Sequence, residues 1–440
     1  MDNSAVILER FRRARSTDID LTLRTPYFEL LTTLGNPHKK LPPVIHVAGT
    51  NGKGSTCAFL RAMVEAAGYR AHVYTSPHLV SFHERIRIAG ELIKEDELVA
   101  ILQEIEQLAE PGSITYFEAA TAAAFVAFTR HPADATILEV GLGGRLDATN
   151  IVPKPFATVI ARLSFDHREY LGHTMTAIAH EKAGILRPNT PCFTAPQPSY
   201  EALTALQNAA AKKQAPLLIG GKDWRVDQIG DQEFLFESSK RSLTMPLPAL
   251  TGHHQLWNAG LAIATLAAAP FEISDPAIRD AMPRVEWPAR LQRLQHGTLF
   301  SLLPTGWELW LDGGHNDSAG EVLAQQIELW RHEDEPHPRP LHIILGMLNT
   351  KVPHEFLTPM KPYIYRMRTV SIDNEPLSRT ADELALLAKE TGIPNVLPSV
   401  SIREAITALT SNNKLAGRLL ICGSLYLAGN MLKQNNGKIQ

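Results

Sequence analysis

The sequence predicts an α/β fold made of two domains, each built on a mostly parallel sheet. Short apolar β-type runs alternate with helical patterns along most of the chain, which is typical of parallel sheets with helices on both faces. The alternation breaks around residues 284–290 and then starts again. A chain of 440 residues also exceeds one ordinary hydrophobic core, so a second domain is expected.

The first series of elements begins with a buried strand at 44–48, followed by a helix at 53–67 that Gly68 closes. Its other predicted elements are, in chain order, a strand at 70–74, helices at 96–109 and 118–130, strands at 135–140 and 157–161, and helices at 174–186 and 254–268. Between about 216 and 250 the runs become short and are punctuated by Gly and Pro, which predicts a small antiparallel β appendage.

The second series predicts a Rossmann-like α/β domain. Its predicted elements are strands at 307–311, 341–345, 363–372 and 418–422, and helices at 317–331, 380–391, 401–411 and 424–434. We therefore expect an N-terminal domain over residues 1–293 and a C-terminal domain over residues 294–440.

Composition and charge argue against several classes of partner. The formal net charge is −3 and 20% of the residues are charged, so no nucleic-acid or membrane partner is expected. The three cysteines are odd in number and widely spaced, which is no disulfide framework and indicates a reducing compartment. The N-terminal residues lack a signal-peptide core and no apolar stretch is long enough to cross a bilayer, so we expect a cytoplasmic protein.

A glycine-rich loop between the first strand and the first helix predicts phosphate binding. Small residues let backbone N–H groups close around phosphate oxygens, and the N-terminus of the helix adds partial positive charge. Lys53 is placed to reach the β- and γ-phosphates, with Ser55 or Thr56 near a metal ion. The competing interpretation is an ordinary glycine-rich turn. The predicted nucleotide-binding residues of this loop are Gly49, Thr50, Asn51, Gly52, Lys53, Gly54, Ser55 and Thr56.

A second signal is Glu139, at the end of the predicted strand Thr-Ile-Leu-Glu-Val. Open α/β sheets bind ligands at the carboxyl edge of their strands. A carboxylate at this edge, next to a phosphate loop, suits Mg²⁺, which takes hard oxygen ligands together with phosphate and water. The competing interpretation is a solvated acid at the end of a strand.

The loop departs from the usual P-loop, because Val47 and Gly54 stand where that motif has Gly and Ser or Thr. Gly-Thr-Asn-Gly-Lys-Gly-Ser instead resembles the phosphate loop of the folylpolyglutamate synthase/dihydrofolate synthase branch of the Mur ligase superfamily. Further segments resemble motifs of the bifunctional bacterial members in the same order. They are residues 75–86, 138–150, 166–167, 181–185, 254–259, 287–290 and 312–316.

The resemblance implies an N-terminal P-loop ATPase domain and an ATP- and Mg²⁺-dependent ligase. Such an enzyme adds L-glutamate to dihydropteroate and to reduced folates through an acyl phosphate. The resemblance also implies a magnesium site formed by Ser76, Glu139 and His167. It further implies that Lys182 is carbamylated by CO2, which replaces a cation by an anion near the metal. Taken alone, Lys182 would be a surface lysine and His167 a structural or general-base residue.

The resemblance assigns roles to further residues. Asn258 is expected to bind adenine and Arg290 to pair with phosphate. Asp312 and His315 are expected to serve ATP binding and the alignment of the incoming amino acid. The expected folate contacts are those of Phe117 and Asp147, whose competing interpretations are a core aromatic residue and a helix-capping acid.

Three alternative functions remain, and departures from the family pattern bear on the first of them. Gly314 and Asp317 replace the usual Ala and Pro, and residues 20–26 lack the usual Leu-Gly start of a helix near the pterin. One alternative is therefore a folylpolyglutamate synthase without dihydrofolate synthase activity. The second is a Mur-type ligase acting on a UDP-sugar peptide. It would need an additional N-terminal domain, for which the 43 residues before the first strand and its phosphate loop leave no room. A P-loop switch or transport ATPase would need a partner-binding feature that the sequence lacks. We expect a monomer.

Overall fold

A computed structural model describes residues 3–14, 25–411 and 415–435. The chain divides into two compact units. The first comprises Met1–Ala249 and Gln255–Val285, and the second Leu250–His254 and Glu286–Gln440. The boundary expected from the sequence, between residues 293 and 294, falls just inside the second unit. Residues 20–24, most of the segment that departs from the family pattern, lie outside the described residues.

The first unit is organised around an eight-stranded sheet in the order β4-β3-β2-β5-β1-β6-β7-β8. The strands from β2 to β8 in this order pair in parallel, while β3 and β4 form an antiparallel edge. The prediction of a mostly parallel sheet is confirmed. The strands are β1 Val44–Ala48, β2 Ala71–Tyr74, β3 Ile86–Ile88, β4 Glu91–Leu92, β5 Ala135–Glu139, β6 Ala157–Ile160, β7 Cys192–Thr194 and β8 Leu217–Ile219.

Helices cover this sheet and pack with it into apolar cores. They are α1 Ser4–Arg13, α2 Thr25–Thr33, α3 Lys53–Ala66, α4 Glu95–Leu108, α5 Tyr116–Arg130, α6 Arg168–Leu171, α7 Met175–Lys182, α8 Tyr200–Lys213, α9 His253–Leu266 and α10 Asp275–Ala281. The alanine-rich helix α5 is buried on almost every side, because small side chains let neighbouring elements approach it closely. The sequence patterns do not predict α1, α2, α6, α8 and α10.

Helix α1 is polar on one side and depends on long-range contacts. Arg10 forms two hydrogen bonds with the Glu106 carboxylate of α4, at 2.6 and 2.8 Å. Ser4 donates to the Glu95 carboxylate at the start of α4. A helix of this length is marginal by itself, so these contacts and its buried apolar side chains decide whether it forms.

The antiparallel appendage is a three-stranded sheet in the order β11-β10-β9. Its strands are β9 Trp224–Ile229, β10 Glu233–Ser238 and β11 Ser242–Pro246. Phe234 and Phe236 alternate with more exposed residues along β10, so one face of the sheet is apolar. This confirms the predicted β appendage.

The second unit contains a six-stranded sheet in the order β12-β13-β17-β14-β15-β16, parallel except for the edge strand β12. This confirms the prediction of a second α/β domain. The strands are β12 Gln292–Leu294, β13 Glu308–Leu311, β14 Leu341–Leu345, β15 Ile364–Thr369, β16 Val396–Pro398 and β17 Arg418–Cys422. The helices are α11 Asp317–Glu333, α12 Pro353–Leu357, α13 Ala381–Glu390, α14 Ile402–Thr410 and α15 Leu425–Gln434.

No helix in the described ranges has both the length and the apolar character needed to cross a membrane.

Gly320 in α11 provides a test of packing in the second unit. A Cβ atom at this position would lie 2.2 Å from the carbonyl oxygen of Phe356 in α12. Alanine normally stabilises a helix interior by about 1 kcal/mol relative to glycine. Here the clash reverses the sign, and we expect Gly320→Ala to lower the free energy of unfolding by about 1–3 kcal/mol.

Urea unfolding of Gly320→Ala and of the exposed control Gln325→Ala measures this difference. The control should change the free energy of unfolding by no more than about 0.5 kcal/mol. A Gly320→Ala protein that is more stable than the wild type would contradict the close packing of α11 on α12.

Candidate active site

Four neighbouring parallel strands, β2, β5, β1 and β6, end at one edge of the first sheet. Strand β1 lies between β5 and β6, and its Val47 pairs with Glu139 while its Ala48 pairs with Ile160. The connection that leaves β1 leads to β2 on one side of it, whereas the connection that leaves β5 leads to β6 on the other side, and ligands bind at such a switch point in open α/β folds. This edge carries Glu139 at the end of β5 and, after the other three strands, Ser76, the loop 49–52 and the segment 162–167.

The glycine-rich loop is held by the segment that follows β6. The N–H groups of Thr50 and Asn51 both donate to the carbonyl oxygen of Arg162, at 3.0 and 3.1 Å. Gly49 has φ 150°, and a Cβ atom there would lie 2.7 Å from the Cβ of Ala161. A larger residue at position 49 would therefore push the loop away from β6.

The N-terminus of α3 is open to an anion. Gly52 precedes the helix with φ 84°, and no side chain caps the helix there. The first-turn N–H groups therefore face outward with the partial positive charge of the helix dipole. The half-buried Lys53 donates its ammonium to the Thr50 carbonyl at 3.3 Å. The Thr56 hydroxyl donates to the Gly52 carbonyl at 2.8 Å, which leaves Ser55 as the better candidate for a metal ligand.

Glu139 ends β5 and is only 3% exposed. Its carboxylate accepts a hydrogen bond of 3.0 Å from the Ser76 N–H, which joins the loop after β2 to the end of β5. That loop is folded around Glu84, whose carboxylate accepts three backbone N–H groups from residues 79–81. Ser76 and Glu139 are thus brought together.

Ser76 and Glu139 suit a magnesium ion whose remaining ligands come from phosphate and water. In the described part of the chain, no three His, Cys, Asp or Glu side chains gather into a ready metal site. Oxygen donors from Glu139 and Ser76 suit Mg²⁺, which commonly keeps water and phosphate ligands. His167 follows β6 in a left-handed conformation, with φ 49°, and its N–H donates to the Asp166 carboxylate at 2.9 Å.

Lys182 is the last residue of α7 and is 4% exposed. Burial lowers the pKa of its amine to about 7, and the positive charge of Lys53 acts in the same direction. Asp166, Asp147 and Glu181 oppose this shift and do not cancel it. A large share of the Lys182 amine is therefore neutral near pH 7, unlike that of a surface lysine.

The segments 141–150 and 181–187 interlock through two glycines. A Cβ atom at Gly144 would lie 2.8 Å from the carbonyl oxygen of Glu181, and one at Gly184 would lie 2.2 Å from the Cα of Arg145. The Arg145 N–H also donates to the Glu181 carbonyl at 2.8 Å. These contacts explain why both motifs need glycine and place Glu139 and Lys182 on connected segments.

Asp147 organises the loop that follows Glu139. Its carboxylate accepts hydrogen bonds from the N–H groups of Gly141, Leu142 and Thr149, and from the Thr149 hydroxyl. These four donors match the acceptor capacity of a carboxylate, and burial raises the pKa of Asp147. In this structure the carboxylate caps its own loop, and a substrate contact would require one of these bonds to exchange. The Thr149 hydroxyl also forms a 2.8 Å hydrogen bond with the His46 ring, which extends this series of hydrogen bonds into β1.

Phe117 lies beside the same loop. A Cβ atom at Gly141 would come within 2.3 Å of its ring, so this glycine makes room for the aromatic side chain. The ring is partly exposed and lies 6.1 Å from that of Tyr74, measured between centroids. Phe117 therefore packs against this loop and remains partly exposed.

Asn258 in α9 lies directly against the phosphate loop. A Cβ atom at Gly52 would be 2.5 Å from the Asn258 side-chain oxygen. The Asn258 amide donates to the Gln255 side-chain oxygen at 2.9 Å, and both residues are buried. Gln255 orients Asn258 and was missed by the sequence patterns, although it lies one helical turn before it.

In the second unit, Asp312 holds the turn that carries Arg290. Its carboxylate accepts the N–H groups of Leu291 and Gly314, at 2.8 and 2.6 Å. Ala289 and Leu291, on both sides of Arg290, adopt left-handed conformations with φ 58° and 46°. Such conformations are costly for non-glycine residues and are retained where the surroundings impose them. Burial raises the pKa of Asp312, and Arg290 acts against that shift.

The two departures in the motif after β13 have local explanations. A Cβ atom at Gly314 would lie 2.7 Å from the Asp312 carboxylate, so glycine permits this close turn. Asp317 begins α11, where an acidic residue interacts favourably with the helix dipole as an alternative to proline. His315 hydrogen-bonds the Gly313 carbonyl through Nδ1 at 3.0 Å.

Ser424 is a further residue of this edge that the sequence patterns missed. It caps α15 directly after β17, and the neighbouring Gly423 N–H donates to the Gly314 carbonyl at 3.0 Å. The run Gly-Ser between a buried strand and a helix was the available signal.

Comparison with known proteins decides the family. The Mur ligase middle domain family matches residues 47–266, and the dihydrofolate synthetase C-terminal domain family matches residues 295–434. The dihydrofolate synthase/folylpolyglutamate synthase of Bacillus subtilis is 32% identical over 92% of this chain and 93% of its own length. The chain belongs to the dihydrofolate synthase/folylpolyglutamate synthase family.

Other members of this family agree with that assignment. The Escherichia coli protein of the same name is 32% identical over 90% of this chain and 87% of its own. A structure of E. coli FolC in complex with DHPP and ADP has a TM-score of 0.86 and 32% identity, and covers 98% of this chain and 97% of that one. The bifunctional enzyme of Yersinia pestis, complexed with AMPPNP and Mn ion, has a TM-score of 0.85 at 28% identity, with 98% of both chains covered.

Membership in this family makes the protein a ligase of the Mur superfamily and argues against the P-loop switch ATPase. DHPP, ADP, AMPPNP and Mn are ligands of these relatives. In this chain, the first unit brings together the phosphate loop, Ser76, Glu139 and Asn258, with Phe117 and Lys182 on adjoining segments.

Proposed function

We propose that this protein is a bifunctional, ATP-dependent dihydrofolate synthase and folylpolyglutamate synthase. It joins the amine of L-glutamate to a carboxylate of dihydropteroate and of reduced folates. The observation that carries the proposal is the uncapped phosphate loop beside the buried Glu139, in a chain similar over its whole length to bifunctional enzymes. Their activity is carried over to this chain on that ground.

The reaction proceeds in two steps. The γ-phosphoryl group of ATP passes to an oxygen of the substrate carboxylate, giving ADP and an acyl phosphate. The glutamate amine then attacks the acyl carbon, loses a proton, and inorganic phosphate leaves as the amide forms. The protein contributes mainly position and charge, which is typical of phosphoryl transfer.

The first-turn N–H groups of α3 and the Lys53 ammonium stabilise the charge on the transferring phosphate. Ser76, Glu139 and His167 are the side chains proposed to hold Mg²⁺ next to this loop. When bound, the ion neutralises phosphate charge and adds electrostatic stabilisation. The hydrogen bond from the Ser76 backbone N–H holds the Glu139 carboxylate next to the loop that carries Ser76, which supports this assignment.

Lys182 is proposed to carry a carbamate. Its buried amine has a pKa of about 7, so the neutral form that attacks CO2 is abundant at physiological pH. The nitrogen forms a bond to the carbon of CO2 and loses a proton to solvent. The product is an anion, which removes the repulsion between Lys182 and Lys53 and suits a neighbouring cation.

Nucleotide and substrate contacts complete the proposal. Asn258 is assigned to adenine, Arg290 and Asp312 to the nucleotide, and His315 to alignment of the incoming amino acid. Phe117 is assigned to the pterin ring through its partly exposed side chain, and Asp147 to the same substrate. The protein is proposed to act as a cytoplasmic monomer.

Release of ADP from Mg-ATP tests the proposed reaction directly. The assay combines dihydropteroate, a reduced folate and L-glutamate in every pairing, with each component also omitted. Release should require glutamate together with one of the two pteridine substrates. Equal release from ATP alone would contradict the ligase reaction.

Replacement of Lys53 tests the phosphate loop. We expect Lys53→Ala to lower kcat by a factor of about 10² or more, because it removes a charge from the transferring phosphate. The exposed neighbour Lys39→Ala is the matched control and should keep wild-type turnover. Circular dichroism should show both variants folded. Near-normal ligation by folded Lys53→Ala would remove Lys53 from the reaction.

Replacement of Lys182 tests the carbamate. Lys182→Ala should lose activity, and short carboxylic acids should restore part of it because they supply the missing anion. Wild-type activity should fall in CO2-depleted buffer, most strongly below about pH 7, where the amine becomes protonated. Activity that is independent of CO2 in the wild type, with no rescue of the variant, would exclude the carbamate.

Asp147 tests whether both substrates use this loop. We expect Asp147→Ala to weaken the use of dihydropteroate far more than the extension of a reduced folate, if its carboxylate receives the pterin. Thr149→Val removes a donor to the same carboxylate without removing the acceptor. Equal losses on both substrates in both variants would assign Asp147 to loop organisation alone. Wild-type protein without dihydropteroate-dependent ADP release would be a folylpolyglutamate synthase only.

A further inference from the structure

The short turn that follows Lys182 ends in carbonyl groups that two cations cover. Helix α7 ends at Lys182 and continues as a single 3₁₀ turn over Ala183–Ile185. The Lys213 ammonium, from the end of α8, donates to the carbonyl oxygens of Ala183, Gly184 and Leu186 at 3.3, 2.9 and 3.1 Å. The last carbonyls of a helix lack intrahelical partners, so these bonds satisfy them.

Arg187 covers the same carbonyl groups from the other end of the turn. One of its guanidinium nitrogens lies 3.2–3.3 Å from the carbonyl oxygens of Gly184, Ile185 and Leu186. The other donates to the backbone and side-chain oxygens of Asn150, both at 2.8 Å. Arg187 therefore ties the turn after Lys182 to the segment that carries Gly144 and Asp147.

This arrangement is expensive electrostatically. In the described ranges neither Arg187 nor Lys213 forms an ion pair with a carboxylate. Burial lowers the pKa of both side chains, and the charge of Arg187 lowers the pKa of Lys213 further. One cation would satisfy most of these carbonyls, so a second indicates that the position of the turn matters.

The turn after Lys182 is also packed closely against the segment that contains Arg145 and Asn150. The closest approach to Gly184 comes from the Arg145 backbone, and the Asn150 amide donates to the Arg145 and Gly184 carbonyls at 3.0 and 3.3 Å. Lys182 is thus the last residue of a helix whose end is held by the two cations on one side and by the 145–150 segment on the other.

We propose that Lys213 and Arg187 are positioning residues that hold the Lys182 amine where it reacts with CO2. The inference rests on the carbamate of the proposed function. Neither residue touches substrate in this role. Each acts by fixing the backbone from which the Lys182 side chain leaves.

The carbamate itself is the readout, measured by ¹³C NMR of the purified full-length protein in ¹³C-bicarbonate at fixed pH. Lys213→Met keeps the length of the side chain and removes its charge. The matched control is Lys212→Met, an exposed lysine one residue earlier in α8. We expect Lys213→Met to need about tenfold more bicarbonate for half-maximal carbamate, since it loses hydrogen bonds from a charged donor. The control should match the wild type.

Arg187→Lys is the second variant, because it keeps the charge and loses the paired contact with Asn150. It should shift the bicarbonate dependence in the same direction, and it serves alone if Lys213→Met does not fold. Wild-type carbamate saturation in folded variants would overturn the positioning role, even where thermal stability is lowered. A wild type without any carbamate signal would instead overturn the carbamate of the proposed function, and the positioning role with it.

Discussion

The parallel pairing of β1 between β5 and β6 is the constraint on which the candidate site depends. It sets the phosphate loop, Glu139 and the segment 162–167 at one edge of the sheet, although they are separated by about a hundred residues of chain. The Arg162 carbonyl then accepts two N–H groups of the loop and holds it against β6. Because the backbone supplies these contacts, the phosphate-facing N–H groups of α3 are in place before any ligand binds.

Glycines allow backbone segments to pack closely around the candidate site. Gly49, Gly144 and Gly184 each stand where a Cβ atom would overlap a neighbouring segment. The interlock of Gly144 and Gly184 connects the loop after Glu139 to the turn after Lys182. A proposed metal ligand and a proposed carbamate therefore belong to one rigid assembly of loops, which suits chemistry that depends on position.

Two lysines of this assembly, Lys182 and Lys53, repel each other. Lys182 is buried within electrostatic reach of Lys53, and its pKa falls to about 7. Conversion of its amine to an anion would turn this repulsion into attraction. Burial increases the share of neutral Lys182 amine, which is the form that reacts with CO2, and the charge of Lys53 would favour the anion that results. Asp147, also buried, accepts hydrogen bonds from four donors of its own loop.

The sequence by itself determined the fold class, the position of the central strands of both parallel sheets and the motif residues, because hydrophobic periodicity and glycine-rich turns are local signals. It predicted β1, β5 and the loop between β1 and α3 almost to the residue. Only the tertiary structure decided that Asp147 is saturated by its own loop and that Thr56 bonds the Gly52 carbonyl. Helix α1 and the cations Arg187 and Lys213 were likewise beyond the sequence. Their roles depend on partners distant along the chain, and on burial that changes a side chain's charge, neither of which a local pattern records.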